Sequence, residues 1–370
     1  MKLKIRLLCF LIAVISVLSV FTGCGVIKGD TVMELGGYKI TEAMYSYWMA
    51  RYKTIFLNKF NASKDTESFW SSSMADGTTY EKYITDYINN FAREVLISMK
   101  LFDDYNLSFT ADDKKAITEY IKGLNTAYGS KAEFNEFLSQ YGLNSKTLEA
   151  IYYAEQKVDK VRAALFEKGG VYEANDEDKK KYYEENYYCA EWIYIYSDVK
   201  LKKGEDGGYI TDPITKEYVT EPLTEEETVL KEAKIEELRG KLPTVDFKTL
   251  RQEYSEEPLT KYEYLPDGVF LSANDYENYG TEFIKNISET EIGKTTEFTE
   301  EGVLFIIKRY ELKDYKDLTT QEFNIMKDFD SHVVTNKMKS YYAGIEVKTN
   351  AEVLGRFDIK TFARLSNTNV

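Results

Sequence analysis

The feature that most constrains this chain is a change of hydrophobic period at Gly169-Gly170. Ahead of that pair, apolar residues recur at helical spacing; behind it, runs of strand formers alternate with charged helical stretches. The clearest stripe is Tyr83, Ile84, Tyr87, Ile88, Phe91, Val95 and Met99, one face of a long helix opening at Tyr80. Upstream, residues 32–35 and 38–40 flank Gly36-Gly37 and read as a tight hairpin. Thr41 is placed to cap a helix carrying Met44, Tyr47, Trp48 and Tyr52. A polar stretch over 61–77 separates it from the stripe. Thr110 with Asp113 predicts a capping box, Phe134, Phe137 and Leu138 mark another helix stopped at Gly142, and Asn144 or Ser145 caps a last one reaching Leu165. Residues 32–170 are therefore expected to be helical apart from the hairpin. With 5 Pro and 21 Gly in 370 residues, long helices are favoured over a loop-rich sandwich.

Beyond Gly170 the reading is mixed. Asn175 and the acidic residues after it cap a short helix ending near Tyr188, and residues 190–196 form a strand. Residues 200–222 carry Gly204, Gly207, Gly208, Pro213 and Pro222 and read as an inserted β-ribbon or flap. Helices follow over 225–240 and from Asp246, with a strand over 303–307. A last long helix is expected over about 319–342, then a strand at 345–347 and a polar tail over 349–370. The fold class is α+β, without internal repeats.

The first 24 residues have their own pattern. Lys2, Lys4 and Arg6 precede an apolar run over 7–20, and Phe21-Thr22-Gly23-Cys24 reads as a lipobox. The run is short of the ~20 residues a spanning helix needs, so a cleaved signal over 1–23 is expected in preference to an uncleaved anchor. Lipid on Cys24 would hold the chain, through a tether over 24–31, to the outer face of a bacterial cell membrane; two acyl chains give stable anchoring where one does not.

Loss of the signal removes three of 48 basic residues, leaving 45 against 62 acidic ones and a net charge of −17. That balance argues against nucleic acid and anionic headgroups as partners. Cys9 leaves with the signal and Cys24 is taken by lipid, so Cys189 has no internal partner and reads as a small buried residue. His332 is the only histidine, and no CxxC or HExxH spacing occurs. Neither a zinc site nor a Ser-His-Asp triad is supported, and no cofactor is expected.

Several pieces, in this order, resemble the extracytoplasmic foldases of the PrsA and SurA kind, which carry a parvulin-type prolyl isomerase domain. Ile40-Thr41-Glu42 resembles the start of their helical chaperone domain, and Tyr141-Gly142-Leu143 its last two helices. Tyr182-Tyr183-Glu184-Glu185-Asn186 resembles the linker before the parvulin strand. Ala233, Leu238, Asp246, Phe247, Leu250, Tyr254 and Ser255 resemble the parvulin helix pattern; Glu291-Ile292-Gly293, Glu301-Gly302 and Ile306-Ile307-Lys308 resemble its closing turn and strand. The resemblance implies a helical chaperone domain over 32–170, a parvulin-like domain over 171–312, and a segment over 313–348 that returns to the helical domain. Phe323, Met326, Phe329, Val333, Met338 and Tyr342 would then pack on the helices of 41–105.

The departures bear on activity. Where the resemblance implies a histidine on the first and the last parvulin strand, this chain has Trp192 and Phe305; a one-residue shift offers Glu191 or Leu304 instead. Leu265 and Phe270 are left as apolar walls of a degenerate prolyl pocket. An X-Pro bond turns over a barrier of ~18–20 kcal/mol, lowered by an apolar pocket that favours the twisted amide. Bulky rings would fill that pocket, so strong isomerase activity is not expected. The leading reading is a membrane-tethered foldase or holdase for unfolded or partly folded exported proteins, with Tyr47, Trp48, Tyr52, Tyr87 and Phe91 as client-binding candidates. An active isomerase with an atypical pocket is the alternative. A solute-binding lipoprotein is disfavoured because repeated βα units are missing. A homodimer is compatible with the sequence.

Overall fold

The computed structural model describes residues 29–60, 65–74, 77–205, 207–213, 218–256, 268–274, 279–300 and 302–365. The signal segment, Cys24 and Leu265 lie outside the described residues, as does the side chain of Phe323. The chain forms two compact units: residues up to Asn175 together with those from Ser331 onward, and residues Asp176–Asp330 between them. The fold is α+β. No described helix is long and apolar enough to cross a membrane.

In the first unit, β1 (Thr31–Leu35) and β2 (Tyr38–Thr41) form the hairpin. Gly36 and Gly37 both take positive φ, 57° and 92°, the conformation a two-residue turn between twisted strands demands. Then come α1 (Glu42–Lys59), α2 (Glu67–Ser71), α3 (Tyr80–Asp104), α4 (Ala111–Ala127), α5 (Lys131–Ser139) and α6 (Ser145–Val161). Their N-caps are Thr41, Thr66, Thr79, Thr110, Ser130 and Asn144, each accepting a backbone N–H through its side chain. A cap of this kind contributes about 1 kcal/mol. Thr110 and Asp113 form the reciprocal box. The last turns before Gly169 widen into a π-helix over Arg162–Phe166.

The second unit is built on a four-stranded antiparallel sheet. It begins with α7 (Asp176–Asn186) and β3 (Tyr187–Tyr196), followed by the ribbon strands β4 (Val199–Leu201) and β5 (Thr220–Pro222). Isolated bridges Lys203–Tyr209 and Thr211–Tyr218 extend the ribbon. Next are α8 (Glu225–Lys241), α9 (Phe247–Tyr254), β6 (Val269–Ser272), α10 (Thr281–Glu289), β7 (Thr295–Glu300) and β8 (Val303–Tyr310). The strand order is β6-β3-β8-β7, so the sheet expected over 190–196 and 303–308 is present, with Trp192 opposite Ile307 and Tyr194 opposite Phe305. Alternation sorts the side chains. Tyr188, Ala190, Trp192, Val269, Leu271 and Ile307 meet Phe283, Ile284 and Ile287 of α10 on one face. Ile193, Ile195, Leu304 and Ile306 meet Ile235, Leu238, Phe247, Leu250 and Tyr254 of α8 and α9 on the other.

Three expectations near the C-terminus are corrected. The single helix over 319–342 is two, α11 (Thr320–Ile325) and α12 (Phe329–Ala343), separated where Asp328 takes a φ of 61°. The residues around the break and those further along α12 serve different cores. Met326 and Phe329 are buried, and the Phe329 ring meets Tyr182, Tyr187 and Tyr315 in the second unit. Met338 and Tyr342 are buried with Ile97, Leu101 and Phe102 of α3 and with Val161, Leu165 and Phe166. The strand read at 345–347 is the two-residue β9 (Lys348–Thr349), which pairs with β1. The polar tail is a packed segment: it opens with α13 (Ala351–Leu354), and Val353, Ile359 and Leu365 are buried in the main core.

Met338→Ala should cost the first unit about 2–5 kcal/mol, the range for truncating a fully buried large side chain. Urea unfolding followed through helical circular dichroism reads this, and an unchanged midpoint would contradict the packing.

Candidate functional site

Four of the five client-binding candidates, Trp48, Tyr52, Tyr87 and Phe91, come together as an aromatic zipper between α1 and α3, while the Tyr47 hydroxyl meets that of Tyr152 at 3.3 Å. Trp48 meets Phe91 edge-on at 5.2 Å between ring centroids, Tyr52 meets Phe91 at 5.1 Å and Tyr87 at 5.0 Å, and Phe56 meets Tyr87 at 5.3 Å. Such pairs contribute roughly 0.5–1.5 kcal/mol each beyond burial. The zipper divides the five residues. Tyr47 and Trp48 are fully enclosed and Tyr52 is buried, so in the folded unit they are core and offer no surface. Trp48 Nε1 donates to Glu155 Oε1 at 2.7 Å, and Arg51 pairs with the same carboxylate at 2.9 Å. Burial raises the Tyr47 phenol to about 12.

The outer row is different. Tyr87 is 42 % exposed and Tyr83, one turn earlier, 39 %. Half-buried Phe91 continues the row into a cavity of about 420 Å³ lined also by Arg93, Glu94, Lys339 and Tyr342. Sequence reading placed Tyr342 on the right partner helices, but gave no sign that it lines this cavity. Its hydroxyl shares a 2.7 Å hydrogen bond with Ser98, and burial pushes its pKa up. Arg93 donates to the carbonyls of Tyr342 and Ile345, tying α3 to the end of α12. Glu94 is the titratable wall. Desolvation raises its pKa against the opposing pull of Lys339 and Arg162, with Asp159 adding to the rise.

In the second unit, Trp192 and Phe305 lie on the same sheet face, as the degenerate pocket requires. Phe283 of α10, unmarked by the sequence reading, stands between them, at 5.1 Å from Trp192 and 5.3 Å from Phe305. Tyr279 meets Trp192 at 5.7 Å, and Tyr194 and Phe298 close on Phe305 at 5.3 and 5.0 Å. Side chains therefore fill the face of the sheet between Trp192 and Phe305.

Phe270 is corrected. It points to the opposite face of β6 and stacks on Tyr187 at 5.4 Å and Tyr183 at 6.0 Å, because its parity on the strand is opposite to that of Val269 and Leu271. Glu191 and Leu304 also lie on the far side from Trp192. Glu191 is buried, accepts a 2.9 Å hydrogen bond from the Tyr310 hydroxyl and faces Arg251 at 3.8 Å. His332 is exposed on α12 and belongs to the first unit, so the sheet has no imidazole. Cys189 is half-buried on β3 and forms no disulfide.

The Glu94 shift carries a sign. A carboxyl whose folded pKa is raised contributes stability that is complete below its unfolded value and lost as pH rises through the folded one. Glu94→Gln should therefore melt at a higher temperature than the parent near pH 7, and the difference should vanish below about pH 4, where both forms are neutral. A parent at least as stable as the variant at pH 7 would contradict the desolvated placement.

No family model matches the chain, and no curated protein matches it. Solved structures do. One is the foldase protein PrsA from Streptococcus pneumoniae, 14% identical over 88% of this chain and 98% of that one, with a TM-score of 0.23. PrsA from Bacillus subtilis is 16% identical over 79% of this chain and 98% of that one, at 0.23. The peptidylprolyl isomerase (PrsA) from Bacillus cereus is 15% identical over 80% of this chain and 94% of that one, at 0.29.

Proposed function

We propose that this chain is a lipid-anchored, extracytoplasmic foldase that holds unfolded or partly folded exported polypeptides on its helical unit. Cys24 carries the lipid, and the sheet unit has little or no prolyl isomerase activity. The observation that carries the reading is the row of exposed Tyr83 and Tyr87 and half-buried Phe91 opening into a cavity beside Tyr342. A soluble surface exposes neighbouring aromatics of this kind where it meets a partner, and Tyr serves well because its ring is apolar while its hydroxyl tolerates water. Arg93 is already committed to backbone carbonyls, so the row selects apolar segments without reading their sequence. The acidic body keeps the anchored protein off an anionic envelope.

The sheet unit supports the non-catalytic half of the reading. Isomerisation requires a ring-sized apolar recess at the reacting amide. Here Trp192, Phe283 and Phe305 fill that recess with one another.

Two measurements test this. Tyr83→Ser with Tyr87→Ser, which trims the exposed edge of the zipper, should weaken capture of a permanently unfolded, carboxymethylated protein about tenfold while the chain stays folded. Capture equal to the parent would reject the row as the client site. On proline-containing tetrapeptides the chain should leave the rate at its uncatalysed value, and clear acceleration would overturn the non-catalytic assignment.

A further inference from the structure

The segment that closes the first unit is held as a ligand would be held. After α13 the chain turns over Asp358–Phe362 and runs to Leu365 across α1. Ile359 and Leu365 are buried, and Phe362 between them is packed against the core, giving apolar anchors three residues apart. Past Phe357, the hydrogen bonds to it from α1 and Tyr141 use its main chain. Lys53 Nζ donates to the carbonyls of Phe362 at 2.8 Å and Lys360 at 3.3 Å. The Leu365 N–H donates to Thr54 Oγ1 at 2.8 Å, and the Tyr141 hydroxyl donates to the Arg364 carbonyl at 3.2 Å. Two of its side chains form ion pairs: Lys360 with Glu81 at 3.3 Å, and Arg356, at its start, with Asp30 and Glu42 at 2.8 Å each and with Glu352 at 3.3 Å.

Lys53 is the unusual member. It is 1 % exposed, and its charge is met by those carbonyls and by Asp65 at 3.0 Å. A buried ammonium is costly unless fully paired, and an apolar closure would not need one. It suits a groove that grips polypeptide backbone whatever the side chains. The groove also exceeds its present occupant: a cavity of about 510 Å³ continues beside the segment, lined by Ala43, Ser46, Tyr141, Phe357 and Phe362.

We infer that the groove over Lys53, Thr54 and Tyr141 is a second polypeptide-binding site, and that residues 356–365 are a strap occupying it as a self-ligand. The partner it fits is an unfolded segment with apolar residues at i, i+3 and i+6, which enters when the strap releases. The inference rests on the reading of the chain as a polypeptide binder, but on a surface separate from Tyr83 and Tyr87.

The test uses the full chain and a fluorescent peptide copying residues 356–365. Ile359→Ser with Leu365→Ser loosens the strap and leaves the groove intact. Since a closed strap lowers apparent affinity by the fraction of open molecules, this variant should bind the peptide about tenfold tighter than the parent. Adding Lys53→Met should abolish the gain. Phe362→Ser, which removes a partly buried anchor of the strap and leaves Lys53, Thr54 and Tyr141 in place, should also bind more tightly than the parent and serves if the double variant melts. A folded loosened chain that binds the peptide no better than the parent overturns the inference, as does exchange of straps between two copies with no uptake of peptide. Failure of capture at Tyr83 and Tyr87 with peptide uptake intact would remove the other site and keep this one.

Discussion

The first unit depends on closure between its two chain ends. Its core cannot be completed by residues 29–175 alone, because Tyr342 supplies the partner of Ser98 and Met338 fills the space beside Ile97 and Phe102. Arg162 donates to the Ser331 carbonyl and the Thr335 hydroxyl, while Arg93 takes the last carbonyls of α12. Each arginine would be left with unmet donors if the returning chain were removed. These pairings span far more of the sequence than helix contacts usually do, so the unit completes itself only after the whole sheet unit has been made.

Closure also creates the proposed surface. Tyr87 and Phe91 are set by α3 alone, yet the cavity they open into exists because Tyr342 and Lys339 return beside them. The buried half of the zipper, Trp48 and Tyr52, holds the exposed half rigid. A preordered aromatic row loses little entropy on binding an apolar segment. The sheet unit follows a different logic: Trp192 and Phe305 both pack against Phe283, so that face of the sheet is closed by its own rings.

Helix positions and the sheet were legible because caps and periodicity are local. Thr110 with Asp113, Asn144, and the stripe from Tyr83 to Met99 each announce themselves within a few residues. What escaped was set by distant partners. The break at Asp328 has neither Gly nor Pro to mark it, and the helical period runs on through it. Phe270 was misplaced by one strand face because the residues ahead of it carry no alternation to fix the register. Phe283 is an ordinary helix residue until the sheet packs on it. Residues 356–365 read as tail because their anchors, Ile359, Phe362 and Leu365, are diluted by polar neighbours.

The most direct test of where clients sit is photocrosslinking. A photoreactive phenylalanine replaces Tyr87 in one chain and Phe305 in another, and each is irradiated with an unfolded polypeptide. Adducts formed at position 87 and not at 305 are the result predicted here. Adducts at 305 with none at 87 would place the client on the sheet and contradict the account.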